Sequence, residues 1–313
     1  MAASIIGSAA MTPSAGTNTG EHLTPELFMT LSRVSEMALS PDGKTAVYAV
    51  SFPDVKTNKA TRELFTVNLD GSGRKQITDT ESNEYAPAWM ADGKRIAFMS
   101  NEGGSMQLWV MNADGTERRQ LSNIEGGITG FLFSPDEKQV LFTKDIKFGK
   151  RTKDIYPDLD KATGRIITDL MYKHWDEWVE TIPHPFIANA TDGMITTGKD
   201  IMEGEPYEAP MKPWSGIEDF SWSPDGQNIA YASRKKTGMA YSLSTNSDIY
   251  IYNLASGRTH NISEGMMGYD TYPKFSPDGK SIAFFEDRST LRVLDIKSKA
   301  VRTVMDGKYV YSY

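Results

Sequence analysis

One short motif recurs five times along the chain and constrains its fold more than any other feature. The copies are Ser40-Pro-Asp-Gly-Lys44, Met90-Ala-Asp-Gly-Lys94, Ser134-Pro-Asp-Glu-Lys138, Ser223-Pro-Asp-Gly-Gln227 and Ser276-Pro-Asp-Gly-Lys280. They lie 50, 44, 89 and 53 residues apart. Pro presets φ, Asp bonds to the backbone two residues on, and Gly accepts a positive φ, so each copy is a tight turn. Leu39, Trp89, Phe133, Trp222 or Phe275 precedes the turn, and an apolar run such as Arg95-Ile-Ala-Phe-Met99 follows it. Apolar runs on both sides of a turn make a β-hairpin. A second hairpin follows in most units, as in Gln107-Leu-Trp-Val-Met-Asn-Ala-Asp-Gly115 and Arg118-Arg-Gln-Leu-Ser122. Two hairpins per unit of roughly 45 residues is the signature of a four-stranded propeller blade. One blade cannot bury both its faces, so several must pack around an axis.

The fold class expected is therefore all-β, a β-propeller of four-stranded blades. About six units are expected, in a complete or an incomplete ring. That count takes the 89-residue spacing as two units with a degenerate copy between residues 134 and 223. Residues 1–22 read as an N-terminal arm or signal remnant without fixed structure, and residues 23–313 as the propeller. The short helix opened by Thr24-Pro25-Glu26, with Thr24 as N-cap, is the one convincing helical signal. Tyr309-Val-Tyr-Ser-Tyr313 reads as the start of a further strand.

Composition narrows the function by exclusion. The net charge of −7 disfavours a phosphate backbone, so no nucleic-acid partner is expected. Arg234-Lys235-Lys236 reads as a solvated turn. There is no Cys, which removes disulfides, thiolate metal sites and Cys nucleophiles. No stretch approaches the roughly 20 apolar residues of a membrane helix. The four His show no metal-ligand spacing, no Gly-rich phosphate loop is present, and no cofactor is expected. A Gly-x-Ser-x-Gly nucleophile elbow is missing as well; the nearest segments, Gly103-Gly-Ser-Met-Gln107 and Gly279-Lys-Ser-Ile-Ala283, lack the final Gly. No catalytic residue is assigned.

Five stretches carry a resemblance to a known family. They are Leu23-Thr-Pro-Glu-Leu27, Tyr172-Lys-His-Trp-Asp-Glu-Trp178, Gly216-Ile-Glu-Asp-Phe-Ser-Trp-Ser-Pro-Asp-Gly226 and Tyr241-Ser-Leu-Ser-Thr-Asn-Ser-Asp248. Gly268-Tyr-Asp-Thr-Tyr-Pro-Lys-Phe-Ser-Pro-Asp-Gly279 completes them. With its TolB-like, WD40-type repeats the chain resembles the propeller half of prolyl-oligopeptidase-family serine peptidases. The bacterial dipeptidyl-peptidase 5 and acylaminoacyl-peptidase groups are the nearest in the order of these features. The resemblance implies a C-terminal α/β-hydrolase domain bearing the Ser-Asp-His triad, which these 313 residues do not include. It implies peptide substrates, a gating and selecting role for the propeller, and a periplasmic or secreted location, with the cytoplasm still open. A standalone TolB-like propeller acting as a periplasmic protein-binding scaffold is the alternative.

The segment Asp169-Leu-Met-Tyr-Lys-His-Trp-Asp-Glu-Trp178 concentrates aromatics and carboxylates in ten residues. Trp175 and Trp178 could hold a peptide side chain, and Asp176 or Glu177 could pair with a free α-amino group. Glu218, near Trp214, is a further candidate. The competing reading is an outer-strand aromatic cluster with a solvated acidic edge. The long insert from Phe148 to Arg165 exceeds an ordinary blade loop and stands open between a functional and a solvated loop.

Overall fold

The computed structural model describes residues 22–191 and 193–308. The arm expected over residues 1–22 lies outside the described residues except for His22, and so does the strand expected at Tyr309–Tyr313. The chain enters through helix α1 (Pro25–Thr30), where the Thr24 side chain accepts a hydrogen bond from Leu27 N at 3.2 Å, as its N-cap sequence implies.

Five antiparallel four-stranded sheets follow among the described residues. Blade 1 contains β1 (Arg33–Leu39), β2 (Thr45–Asp54), β3 (Lys59–Asn68) and β4 (Lys75–Gln76). Blade 2 contains β5 (Glu84–Trp89), β6 (Arg95–Ser100), β7 (Gln107–Asn112) and β8 (Arg119–Gln120). Blade 3 begins with β9 (Gly130–Phe133) and β10 (Gln139–Lys147). It then detours through α2 (Thr152–Ile155) and a hairpin of β11 (Lys173–His174) and β12 (Glu177–Trp178). It ends with β13 (Thr181–Asn189) and β14 (Lys199–Asp200). A 3₁₀ turn (Ile217–Asp219) leads into blade 4, which contains β15 (Phe220–Trp222), β16 (Asn228–Ser233), α3 (Gly238–Leu243), β17 (Asp248–Asn253) and β18 (Arg258–Asn261). Blade 5 contains β19 (Thr271–Phe275), β20 (Ser281–Glu286), β21 (Thr290–Asp295) and β22 (Val301–Met305).

The five blades are fewer than the six units read from the spacing. Residues 148–180 are an insert between β10 and β13, not a degenerate blade. The 89-residue spacing is one blade plus this insert. A repeat count by length cannot tell an inserted loop from a worn copy, because both add residues without adding the turn motif.

The turns form as their chemistry requires. In blade 4 the Ser223 hydroxyl donates to Asp225 Oδ1 at 2.5 Å and accepts from Asn228 N at 2.8 Å, while Asp225 Oδ1 accepts from Gln227 N at 3.0 Å. Gly226 takes φ +68°, open only to a residue without a Cβ at low cost. Between blades the apolar runs interlock. Val47, Ala49 and Leu64 of blade 1 pack on Ile96, Phe98 and Met111 of blade 2. Ala230, Ile249 and Ile251 of blade 4 pack on Ile282, Phe284 and Leu294 of blade 5. At the blade 3–blade 4 seam the Trp222 indole N–H donates to Leu132 O at 3.0 Å.

Strand alternation sorts the connections between two faces. The Pro-Asp-Gly turns join first to second strands, so all five emerge on one face, where Ala91 N of one turn donates to Glu137 of the next. The second-to-third connections and the links between blades emerge on the opposite face. That face carries the 148–180 insert, residues 201–219, residues 234–247 with α3, residues 262–270 and the turn at Asp287-Arg288.

Candidate functional site

The long-loop face holds a cavity of about 520 Å³ at the level of the β11–β12 hairpin. Lys173, His174 and Trp175 of the hairpin form one side; Met211, Lys212, Pro213 and Trp214 from the blade 3–blade 4 link form another. Arg234 and Thr245 come from the ends of the α3 connection, and Tyr269, Asp287 and Arg288 from blade 5. Alternation of strands places these five separate connections on one face, and the cavity lies where they converge.

Trp175 sits at the tip of the hairpin with φ +53°. A tryptophan in the left-handed region is a steric outlier, and such conformations persist where surrounding structure over-determines them. Its ring meets Trp214 edge to face, with centroids 4.6 Å apart. Both indoles remain largely in solvent, Trp175 at 69 % and Trp214 at 64 % exposure. Two apolar rings held in contact yet left wet are a recognition feature more than a core feature.

Behind the indoles the site is fixed by hydrogen bonds. His174 Nε2 is 2.9 Å from Oε2 of the buried Glu208. The Arg234 guanidinium lies over the Tyr241 ring at 3.8 Å. Burial pushes the Tyr241 hydroxyl up to about 12, against the favourable charge of Arg234, so it stays a neutral phenol. Asp287 Oδ1 accepts from Tyr269 N at 2.8 Å, and Arg288 stacks on the Tyr269 ring at 5.0 Å. Lys235, next to Arg234, forms a 2.5 Å ion pair with Glu205 and points at the Tyr231 and Tyr250 rings. The solvated turn expected at Arg234-Lys235-Lys236 is thus an anchored segment, because tertiary contacts supply rings and a carboxylate that the local sequence does not show.

The candidate residues read from the sequence separate in space. Trp175 lines the cavity. Trp178, three residues further, turns to a second cavity of about 610 Å³ formed within the 148–180 insert, where Arg165 lies 4.5 Å and Lys173 4.7 Å from its ring. Asp176 and Glu177 are exposed on the hairpin, and neither lines either cavity. Glu218 is exposed on the 3₁₀ turn, and its side chain accepts from Gly216 N at 2.8 Å. Its neighbour Asp219 is buried and pushed up to about 6 by that burial, while Tyr272 N donates to it at 3.1 Å. The segment Tyr172–Trp178 is not an outer blade strand but a free-standing hairpin on the insert.

Sequence reasoning missed Arg234, Tyr269, Lys212 and Arg288. The available signal was positional: with the turns assigned to one face, every residue of the alternate connections falls on the other.

His184 is buried, with Nδ1 2.9 Å from Asp200 Oδ2 and Nε2 2.9 Å from the Tyr207 carbonyl oxygen. Among the described residues no Ser or Thr hydroxyl is hydrogen-bonded to a His, and no group of three His, Asp or Glu is placed to hold a metal ion. Among the same residues no helix is long and apolar enough to cross a membrane.

Comparison with known proteins agrees with the fold. Residues 31–177 match the family described as TolB beta propeller domain. Dipeptidyl-peptidase 5 of Porphyromonas gingivalis is 93 % identical over 308 residues, covering 98 % of this chain and 45 % of that protein. Dipeptidyl-peptidase 5 of Porphyromonas endodontalis is 56 % identical over 268 residues, covering 86 % of this chain and 39 % of that protein. The chain therefore spans less than half the length of these curated relatives. Among solved structures, the acylaminoacyl peptidase of Pyrococcus horikoshii shares the fold with a TM-score of 0.59 at 15 % identity, covering 88 % of this chain and 40 % of that one. In sequence the chain matches part of dipeptidyl-peptidase 5 from two Porphyromonas species, and its fold is that of a TolB-type β-propeller.

Proposed function

We propose that this chain is the gating and substrate-selecting portion of a serine exopeptidase that releases dipeptides or acyl-amino acids from peptide N-termini. The observation that carries the reading is the cavity on the long-loop face, rimmed by the exposed Trp175–Trp214 pair and lined by charged groups. An α/β-hydrolase domain in the remainder of the longer protein would supply the nucleophile, and acyl-enzyme chemistry would cleave the peptide there. The propeller excludes folded proteins and presents an extended peptide. Trp175 and Trp214 offer rigid apolar surface at low entropic cost, and Asp176 and Glu177 on the same hairpin offer anions for an ammonium group. The names of the relatives support the peptide class, and the TolB-type repeats support a periplasmic or secreted setting.

The test compares this chain with the longer protein on dipeptidyl and acyl-aminoacyl chromogenic substrates beside a fluorophosphonate probe. The expected result is turnover and serine labelling by the longer protein alone, with KM raised several-fold by Trp175→Ala. Labelling of a serine within residues 1–313 would overturn the assignment of catalysis to the other domain, and an unchanged KM would remove the indole from the substrate path.

A further inference from the structure

The chemistry of the cavity specifies more than a peptide. Four lining residues are cationic: Lys212, Arg234, Arg288 and Lys173, whose ammonium lies over the Trp178 ring. Among the described residues none of the four forms an ion pair. The lining carboxylate, Asp287, is turned onto the Tyr269 amide. Glu208, the other acid at the site, stands behind His174 and is held by it. The cavity therefore has an excess of positive charge in a chain whose total is −7.

Arg234 is the best placed of the four. It follows the last residue of β16, and its guanidinium carbon lies over the Tyr241 ring of α3, 3.8 Å from the centroid. Tyr241 takes one face of the guanidinium and a hydrogen bond to its hydroxyl, and leaves the other N–H donors of the edge. Its Nε atom is buried and has no hydrogen-bond partner. A planar donor edge held in one orientation is the geometry that a carboxylate matches with two parallel hydrogen bonds. Arg288 on the Tyr269 ring and Lys212 beside Trp214 add charge from two further sides, and the indoles offer a surface for the carbon chain that bears the acid.

We infer that the cavity selects a carboxylate-bearing peptide, with Arg234 as the group that recognises the carboxylate. The inference rests on reading the cavity as a peptide site and names the chemistry it takes. An acidic side chain and a C-terminal carboxylate present the same two oxygens, and the experiment separates them.

The experiment follows indole fluorescence of the chain during titration with four N-acetylated tetrapeptides. One carries Glu with an amidated C-terminus, one Gln with a free C-terminal carboxylate, one Gln with an amide, and one Lys with an amide. The expected result is at least about tenfold tighter binding of a carboxylate-bearing peptide than of the Gln amide, the scale of a charge-assisted hydrogen bond. Tighter binding of the first peptide identifies the side chain, and of the second the chain terminus. Arg234→Gln removes the preference, Arg234→Lys restores part of it, and raised salt weakens it. Should Arg234→Gln fail to fold by circular dichroism, the exposed Arg288→Gln is expected to reduce the same preference. Equal affinity for all four peptides overturns the carboxylate inference and leaves the peptide site standing. Absence of binding by any of them overturns both.

Discussion

Glu63 of β3 and Glu84 of β5 face each other across the seam between blades 1 and 2, both buried. Thr80 joins them: its amide donates to Glu63 Oε1 at 3.1 Å and its hydroxyl to Glu84 Oε1 at 3.0 Å. Glu84 also accepts from Arg118 Nη2 at 2.7 Å and from Ser100 Oγ at 3.0 Å. Glu63 Oε2 has no such partner. Burial first, and then the charge of Glu84, push Glu63 up to about 7, so Glu63 keeps its proton where an exposed Glu has lost it.

The seam should therefore weaken in alkali. The folded chain binds a proton at Glu63 that the unfolded chain releases above about 4.5. This contribution is fully present below that pH and is lost as pH rises through about 7. Glu63→Gln is expected to leave stability at pH 5 little changed and to raise it at pH 8.5 by on the order of 2 kcal/mol. Urea unfolding at the two pH values checks this; equal effects at both would show that the Glu63 proton is not linked to folding.

Packing between blades 1 and 2 sets a second expectation. Ile96 is fully buried in the cluster that also holds Val47, Leu64 and Phe98. Ile96→Ala removes three carbons from a place where two sheets cannot easily collapse. The expected cost is about 2–5 kcal/mol, read from the denaturant midpoint. At the blade 3–blade 4 seam, Trp222→Phe leaves Leu132 O without its indole donor and should cost about 1–3 kcal/mol.

Trp175 sets stability against recognition. Its φ of +53° is costly for Trp and ordinary for Asn. Trp175→Asn is expected to stabilise the chain by about 1 kcal/mol while weakening peptide binding several-fold. Paired measurements of thermal unfolding and fluorescence titration test it. Loss of both stability and binding would mean that the indole packs as core.

Blade 1 presents an uncovered apolar face. Val34 is 69 % and Met37 70 % exposed on β1, whereas residues of the corresponding β5 are buried or half-buried against their neighbours. Such a face associates in water. The chain is expected to show concentration-dependent self-association by sedimentation velocity, reduced by the double substitution Val34→Lys, Met37→Lys. A monomer at all concentrations would count against the face being sticky.

The sequence by itself determined the blades. Five turn motifs each impose a hairpin through local φ preferences and Asp–backbone bonds, and alternating apolar runs fix which side of each strand is buried. These are short-range effects, legible within ten residues of the chain. The sequence also marked Trp175 as a residue of interest, through its density of aromatic and acidic neighbours. It did not distinguish a blade from an insert between residues 134 and 223, because length alone carries no register. Only the tertiary structure decided what stands beside Trp175. Trp214 and Arg234, 39 and 59 residues away in sequence, reach the hairpin because strand alternation sends their loops to the same face. Asp176, Glu177 and Trp178, its immediate neighbours, point elsewhere because a tight hairpin turns successive side chains in different directions.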